Sequence, residues 1–109
     1  MSSEIKIIER PSGNGSLTIY LDGNIDEATS PILEKEVEKI IVKNFNNIYF
    51  DLNKVNYISS LGIRVLIVAY KKGVKLGKIV AIKEISAKAK EILEVVGVLP
   101  LLTSQNNHS

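Results

Sequence analysis

The chain has 109 residues, of which 45% are hydrophobic and 24% are charged, and its formal net charge is +2. This length predicts a single domain, and this composition is sufficient for a hydrophobic core. The absence of cysteine excludes disulfides and thiolate chemistry and agrees with a reducing compartment. No signal-peptide pattern opens the sequence, and no apolar run approaches the roughly 18 residues of a membrane span. We therefore expect a cytoplasmic protein without a membrane span.

The basic residues are scattered along the chain, and their densest cluster is Lys71-Lys72-x-x-Lys75. A nucleic-acid-binding face requires such residues on one side of the molecule, interleaved with aromatic side chains. The lysines here instead predict solvated basic edges on the helices, and we expect no nucleic-acid partner.

The first half of the chain predicts a hairpin followed by a helix. An Ile-Lys-Ile alternation predicts a strand over residues 4–10, and alternating apolar residues predict a second strand over 16–21. Turn-forming residues between them indicate an antiparallel hairpin. Ser30 followed by Pro31 is typical of a helix start, with Ser30 as the N-cap, and the apolar periodicity extends this helix to about Lys43.

The second half predicts an alternation of strands and helices. The predicted elements are a central strand over 48–52, a helix from Ser60 to about Lys75 ended by Gly77 or Gly73, a strand over 78–83, a helix from the Ser86 cap to Gly97, and an edge strand over 98–102. The order ββαβαβα, with this C-terminal edge strand, predicts an α/β fold with a mixed, largely parallel sheet covered by helices. We expect one domain over residues 1–102 and a polar, disordered tail over 103–109.

The stretch over residues 55–67 predicts a strand exit, a short loop and the start of a buried helix. Ser59 and Ser60 lie at the joint between loop and helix. A serine at this place caps a helix by accepting a hydrogen bond from an orphan backbone N–H. One of the two hydroxyls is then free at the positive end of the helix dipole, where a phosphate is tolerated.

The spacing along this helix predicts a core face of Leu61, Val65, Val68 and Ala69, extended by Ile63, Leu66 and Tyr70. A second stripe consists of Ser60, Arg64, Ile67 and Lys71. Ile67 is either the edge of the core or a contact anchor for a partner. Gly62 either lets a backbone or a phosphate approach closely or packs tightly on the neighbouring strand.

Signatures of catalysis are missing from the sequence. The single histidine, His108, lies in the predicted tail, and no phosphate-binding glycine loop is present. Asp22, Asp26 and Asp51 at strand exits are typical turn formers or caps; the alternative is a weak Mg²⁺ site formed by Asp26 and Asp51. Core or half-buried packing is predicted for all four tyrosines: Tyr20, Tyr49, Tyr57 and Tyr70.

Two segments resemble the signature of STAS domains, specifically of bacterial anti-sigma factor antagonists. The first is Asp51-Leu52-x-x-Val55-x-Tyr57-Ile58-Ser59-Ser60-Leu61-Gly62-Ile63-Arg64-Val65-Leu66, and the second is Leu21-x-Gly23-x-Ile25-Asp26. The resemblance covers nearly the whole chain in the same order of elements. It implies a mixed β-sheet with helices mainly against one face.

The resemblance also implies a regulatory role. An unphosphorylated antagonist binds an anti-sigma factor, often a serine kinase, and frees the sigma factor; the kinase then phosphorylates the antagonist and a phosphatase resets it. Matching the signature places the phosphoacceptor at Ser60, with Ser59 as the alternative. Ser59 stands where many members have Asp, and Leu61 where many have Ser or Ala.

We expect the partner to contact Gly23, Asn24, Asp26, Ser59, Leu61, Gly62, Arg64 and Ile67. No cofactor, metal or catalytic residue is expected. One alternative is a STAS subunit of another signalling or lipid-transport assembly, and a second is a small nucleotide-binding enzyme, for which the sequence offers no phosphate loop.

Overall fold

The computed structural model of the chain describes residues 4–103. Its elements are β1 (Ile5–Pro11), β2 (Ser16–Gly23), α1 (Ser30–Ile40), β3 (Asn47–Lys54), α2 (Ser60–Lys75), β4 (Ile79–Ile85), α3 (Ala87–Val95) and α4 (Leu99–Thr103). The predicted order ββαβαβα is confirmed. No helix within these residues combines the length and the apolar character that a transmembrane segment requires.

The four strands form one mixed sheet in the order β1-β2-β3-β4. β1 and β2 pair antiparallel, as the hairpin prediction requires, whereas β2–β3 and β3–β4 pair parallel. The strands advance across the sheet in a single direction. Right-handed crossovers therefore place α1 and α2 on the same face of the sheet.

The core lies between this face and the helices. Alternate strand residues point into it, as expected for a sheet with one covered face. The fully buried large side chains are Phe50, Leu17, Ile19, Leu21, Ile25, Leu33, Ile40, Ile48, Leu52, Leu66, Leu93 and Val55. On the opposite face Ile8 and Tyr20 are exposed, so this part of the sheet is open to solvent.

The prediction of a C-terminal edge strand over residues 98–102 is wrong, because Leu99–Thr103 forms the short helix α4. Pro100 lies in its first turn, where a missing N–H costs nothing. The N–H of Leu102 donates to the Val98 carbonyl at 3.2 Å, and Leu102 is buried in the core. Thr103 therefore belongs to a helix rather than to a tail; residues 104–109 of the predicted tail lie outside the described residues.

Helix α1 differs from its prediction at both ends. Its N-cap position is Thr29 rather than Ser30, and the Ser30 hydroxyl donates to the Asp26 carbonyl at 2.6 Å. At the other end α1 stops at Ile40, and the Lys78 ammonium donates to the carbonyls of Ile41 and Lys43. A cation at a helix C-terminus satisfies carbonyls that have no helical partner.

Gly73 allows α2 to lie close to β4. A Cβ added at Gly73 would come within 2.3 Å of Val80 Cγ2 and 3.2 Å of Val80 Cβ. Val80 is only 4% exposed, so it has little room to move. The helix continues past Gly73 to Lys75, and Gly77, with a φ of 71°, follows the C-cap residue Leu76.

We predict that Gly73→Ala lowers the free energy of unfolding. Alanine favours the helix by about 1 kcal/mol, but forcing a methyl group into a packed contact costs about 1–3 kcal/mol. Because the overlap at 2.3 Å is severe, the packing cost lies in the upper part of this range, at about 2–3 kcal/mol, and the expected net loss is about 1–2 kcal/mol in urea denaturation.

Gly13→Ala is the matched control, because nothing lies within 4 Å of its added Cβ and its φ is not positive. Its free energy of unfolding should stay within about 0.5 kcal/mol of the wild type. Equal stabilities for the two variants would contradict the packing role of Gly73.

Candidate functional site

Two connections meet at the carboxyl ends of β2 and β3. The Ile25 N–H donates to the Tyr57 carbonyl at 2.9 Å, and the Ser59 N–H donates to the Ile25 carbonyl at 2.7 Å. These bonds form a parallel bridge between Ile25 and Ile58, two residues outside the strands. Ile25 is fully buried. The loop before α1 and the loop before α2 are therefore joined by backbone hydrogen bonds.

The loop before α1 is held by its own polar side chains. Asp26 Oδ1 accepts hydrogen bonds from the N–H groups of Ala28 and Thr29, each at 3.0 Å. The Thr29 hydroxyl accepts from the Asp26 N–H at 2.9 Å and donates to the Asn24 carbonyl at 2.7 Å. Asp26 and Asn24 thus build the turn, which favours the turn-forming interpretation of Asp26.

Gly62 lies where α2 meets the bridge. An added Cβ would come within 2.5 Å of Ile25 Cγ2, 2.9 Å of the Ile25 carbonyl oxygen and 3.0 Å of Ile58 Cγ2. Of the two interpretations of Gly62, tight packing therefore fits the structure, and the contact is with the bridge rather than with a strand. Gly23 has a φ of 130° and lies against the backbone of Glu4 and Ile5.

The two serines have different environments. Ser59 is 3% exposed and is the N-cap of α2, and its hydroxyl accepts a hydrogen bond from the Gly62 N–H at 3.2 Å. Ser60 is the first residue of the helix and is exposed. The capping hydroxyl is therefore that of Ser59, and the free hydroxyl at the start of α2 is that of Ser60.

The buried face of α2 consists of Gly62, Val65, Leu66, Ala69 and Gly73. The prediction that Leu61 belongs to the core is wrong, because its side chain is 43% exposed; Val68 is only half-buried. Leu61 lines a groove between the starts of α1 and α2 instead. The groove has a volume of about 60 Å³, and its lining residues are Ser30, Pro31, Glu34, Leu61, Arg64 and Val65.

The second stripe of α2 faces outward. Ser60, Arg64 and Lys71 are exposed, and Ile67 is half-buried at the boundary with the core. Ser60, Leu61 and Arg64 therefore share one surface at the start of α2. Of the predicted partner contacts, Gly62 is buried beneath this surface, and Asn24 and Asp26 lie in the loop before α1.

Two exposed apolar residues at this end were not among the predicted partner contacts. Tyr57 is 46% exposed beside the bridge and so departs from its predicted core or half-buried packing, and Ile32 is 50% exposed in the first turns of α1. For Ile32 a signal existed in the sequence, because it lies off the Leu33–Val37–Ile40 face of α1. Tyr20, 37% exposed on the open face of the sheet, also departs from its predicted packing.

The proposed Mg²⁺ ligands have other roles in the structure. Asp51 Oδ1 accepts a hydrogen bond from the Asn53 N–H at 3.0 Å, and Asp26 holds the loop before α1. Among residues 4–103 no group of three or more His, Cys, Asp or Glu side chains is placed to hold a metal ion.

The chain is similar to known regulatory proteins. A family model described as STAS domain matches residues 4–109. BtrV of Bordetella bronchiseptica, whose name assigns it to the anti-sigma factor antagonists, is 27% identical over 94 residues, which cover 86% of this chain and 81% of BtrV.

Two solved structures share the fold. An anti-sigma factor antagonist from Mycobacterium paratuberculosis has a TM-score of 0.75 at 21% identity and covers 96% of this chain and 87% of its own. The anti-sigma factor antagonist SpoIIAA in its unphosphorylated form has a TM-score of 0.75 at 10% identity, covering 94% of this chain and 90% of its own.

We predict that Ser59→Ala destabilises the protein and that Ser60→Ala does not. Losing the Ser59 cap leaves the buried Gly62 N–H without its partner and costs about 1 kcal/mol. The exposed Ser60 hydroxyl makes no comparable contact, and its loss should stay within about 0.5 kcal/mol. Thermal and urea unfolding of both variants measure the difference, and a larger loss in Ser60→Ala would reverse the assignment of the cap.

Proposed function

The chain belongs to the STAS domain family, and we propose that it is an anti-sigma factor antagonist, a regulatory binding protein without catalysis of its own. In this role it binds an anti-sigma factor in the cytoplasm and thereby frees a sigma factor. The name of the relative BtrV and the fold shared with antagonists of known structure support this role. The observation that carries it is the exposed Ser60 hydroxyl at the start of α2, within a surface suited to contact another protein.

The surface around Ser60 has the character of a protein interface. Leu61, Tyr57 and Ile32 expose apolar side chains at one end of the molecule, and Arg64 and Glu34 provide charges along the groove. Apolar anchors surrounded by polar groups are typical of protein interfaces, and Tyr and Arg are enriched in them. We infer that the anti-sigma factor covers this surface when Ser60 is unphosphorylated.

Phosphorylation of Ser60 by the anti-sigma factor, acting as a serine kinase, would switch binding off. A phosphate adds roughly −1.5 to −2 charges at pH 7. The N–H groups of Gly62 and Ile63 bond to Ser59, whereas those of Ser60 and Leu61 precede the helical hydrogen bonds. The positive end of α2 therefore accepts the phosphate without loss of the cap, and the domain stays folded.

The effect of the phosphate would lie at the interface. When the partner binds, a phosphate dianion on Ser60 must either lose its hydrating water, which costs free energy, or keep the partner from contacting Leu61. A penalty of about 3 kcal/mol weakens binding roughly a hundredfold. A phosphatase that removes the phosphate would restore the binding form.

We predict that a serine-kinase anti-sigma factor from the same organism transfers one phosphate to the chain, at Ser60. Intact mass and site mapping after incubation with ATP measure the modification. The phosphate should be absent from Ser60→Ala and present in Ser59→Ala, because only the exposed hydroxyl reaches a kinase. Loss in Ser59→Ala alone would move the site by one residue. No modification by any candidate kinase would favour a STAS subunit of another assembly.

We also predict that Leu61→Ser weakens binding of the unphosphorylated chain to the anti-sigma factor by roughly ten- to a hundredfold, as expected for an apolar anchor. Leu76→Ser is the matched control, since Leu76 is 52% exposed beyond the far end of α2. Isothermal titration calorimetry compares the two variants. Equal affinities would exclude the groove between α1 and α2 from the interface.

A further inference from the structure

We propose that Arg64 binds the phosphate on Ser60, so that phosphorylation engages the guanidinium and withdraws it from the partner surface. This inference rests on the proposed phosphorylation of Ser60 and adds a second component to the switch. Arg64 is then a phosphate-binding residue of the same chain, in addition to its predicted contact with the partner.

The helix places the two side chains together. Ser60 and Arg64 both lie on α2, four residues apart, and both are exposed. Residues four apart on a helix are neighbours, with about 5–6 Å between their Cβ atoms. Side chains on a helix lean toward its N-terminus, so Arg64 leans over the turn that contains Ser60. A phosphate on Ser60 extends into the space that the guanidinium can reach.

The guanidinium has no competing carboxylate partner in the structure. Arg64 forms no ion pair within residues 4–103, and the first turn of α2 contains no acidic residue. Glu34 of α1 lines the same groove, yet it does not lie within ion-pair distance of Arg64. The planar fork of arginine donors matches two phosphate oxygens at once. A phosphate dianion therefore competes more strongly for Arg64 than the distant Glu34 does.

Pairing of Arg64 with the phosphate changes the surface that a partner contacts. In the unphosphorylated chain Arg64 is a free cation beside the exposed Leu61. In the phosphorylated chain the guanidinium is paired with the phosphate and is not available to an acidic group of the partner. Phosphorylation thus adds a bulky anion and removes a cation from the same small surface, and both changes oppose binding.

The test uses the full chain with phosphoserine incorporated at position 60 during translation, so that no kinase is needed. Phosphorus NMR titration follows the second ionisation of the phosphate. A cation beside the phosphate favours the dianion and lowers its pKa. Arg64→Gln should therefore move the titration midpoint to higher pH. Lys71→Gln removes the same charge on the same stripe, about 16 Å from Ser60 at 1.5 Å per residue, and should leave the midpoint close to that of the parent chain.

Two further readouts separate a direct contact from general electrostatics. The Nε–H resonance of Arg64 should shift on phosphorylation in a spectrum of the arginine side chains. Phosphorylation should also increase the folding equilibrium constant about two- to fivefold more in the parent chain than in Arg64→Gln. In Arg64→Lys the midpoint of the phosphate titration should lie between those of the parent chain and Arg64→Gln, because lysine keeps the positive charge but lacks the planar pair of guanidinium donors.

Equal midpoints in the parent chain and Arg64→Gln would overturn the inference, as would equal shifts in Arg64→Gln and Lys71→Gln. Neither result bears on the proposed function, which fails instead if no anti-sigma factor binds the chain. A low midpoint that depends on Arg64, together with a shifted Nε–H resonance, would establish the contact whether or not the kinase has been found.

Discussion

The two backbone hydrogen bonds on either side of Ile25 fix the arrangement of the whole site. They join the loop before α1 to the loop before α2, although Ile25 and Ile58 lie 33 positions apart in the sequence. The join requires β2 and β3 to be parallel neighbours, because only then do their carboxyl ends reach the same edge of the sheet. It also requires Gly62, since a Cβ there would overlap Ile25. The start of α2 is therefore held by its surroundings and not by its own helix propensity.

This support separates a structural serine from an accessible one. Ser59 is buried. Its N–H donates to the Ile25 carbonyl and so joins the two loops, and its hydroxyl accepts from the Gly62 N–H and caps α2. Ser60 follows immediately and projects from the helix at the positive end of its dipole. The phosphate proposed for Ser60 would therefore change the surface and leave the hydrogen bonds beneath it intact. The proposed switch depends on this separation, because the protein would stay folded in both states and the partner would detect only the change in charge and shape.

The size of the groove agrees with a surface that binds protein. Its volume of about 60 Å³ is well below the roughly 300–1,000 Å³ of typical small-molecule sites. A larger cavity of about 350 Å³ is lined by residues that include Tyr20 and Asp51. Neither Ser60 nor Leu61 lines this cavity, so it is separate from the groove at the start of α2. Shallow grooves beside exposed apolar residues suit the anchors of a partner protein.

The sequence by itself determined the order of the elements, the hairpin and the presence of a helix cap at the serine pair. These features follow from short-range patterns, namely apolar periodicity and turn-forming residues, that act between neighbours in the chain. The tertiary structure alone decided which serine is the cap, because that choice depends on Ile25, which is distant in sequence. It also decided that Leu61 and Tyr57 are exposed, since burial depends on what the rest of the chain places over a side chain. Residues 98–102 also show that sequence patterns alone do not decide such a segment. Their apolar side chains suit a strand or a helix, and packing of Leu102 into the core favours the helix.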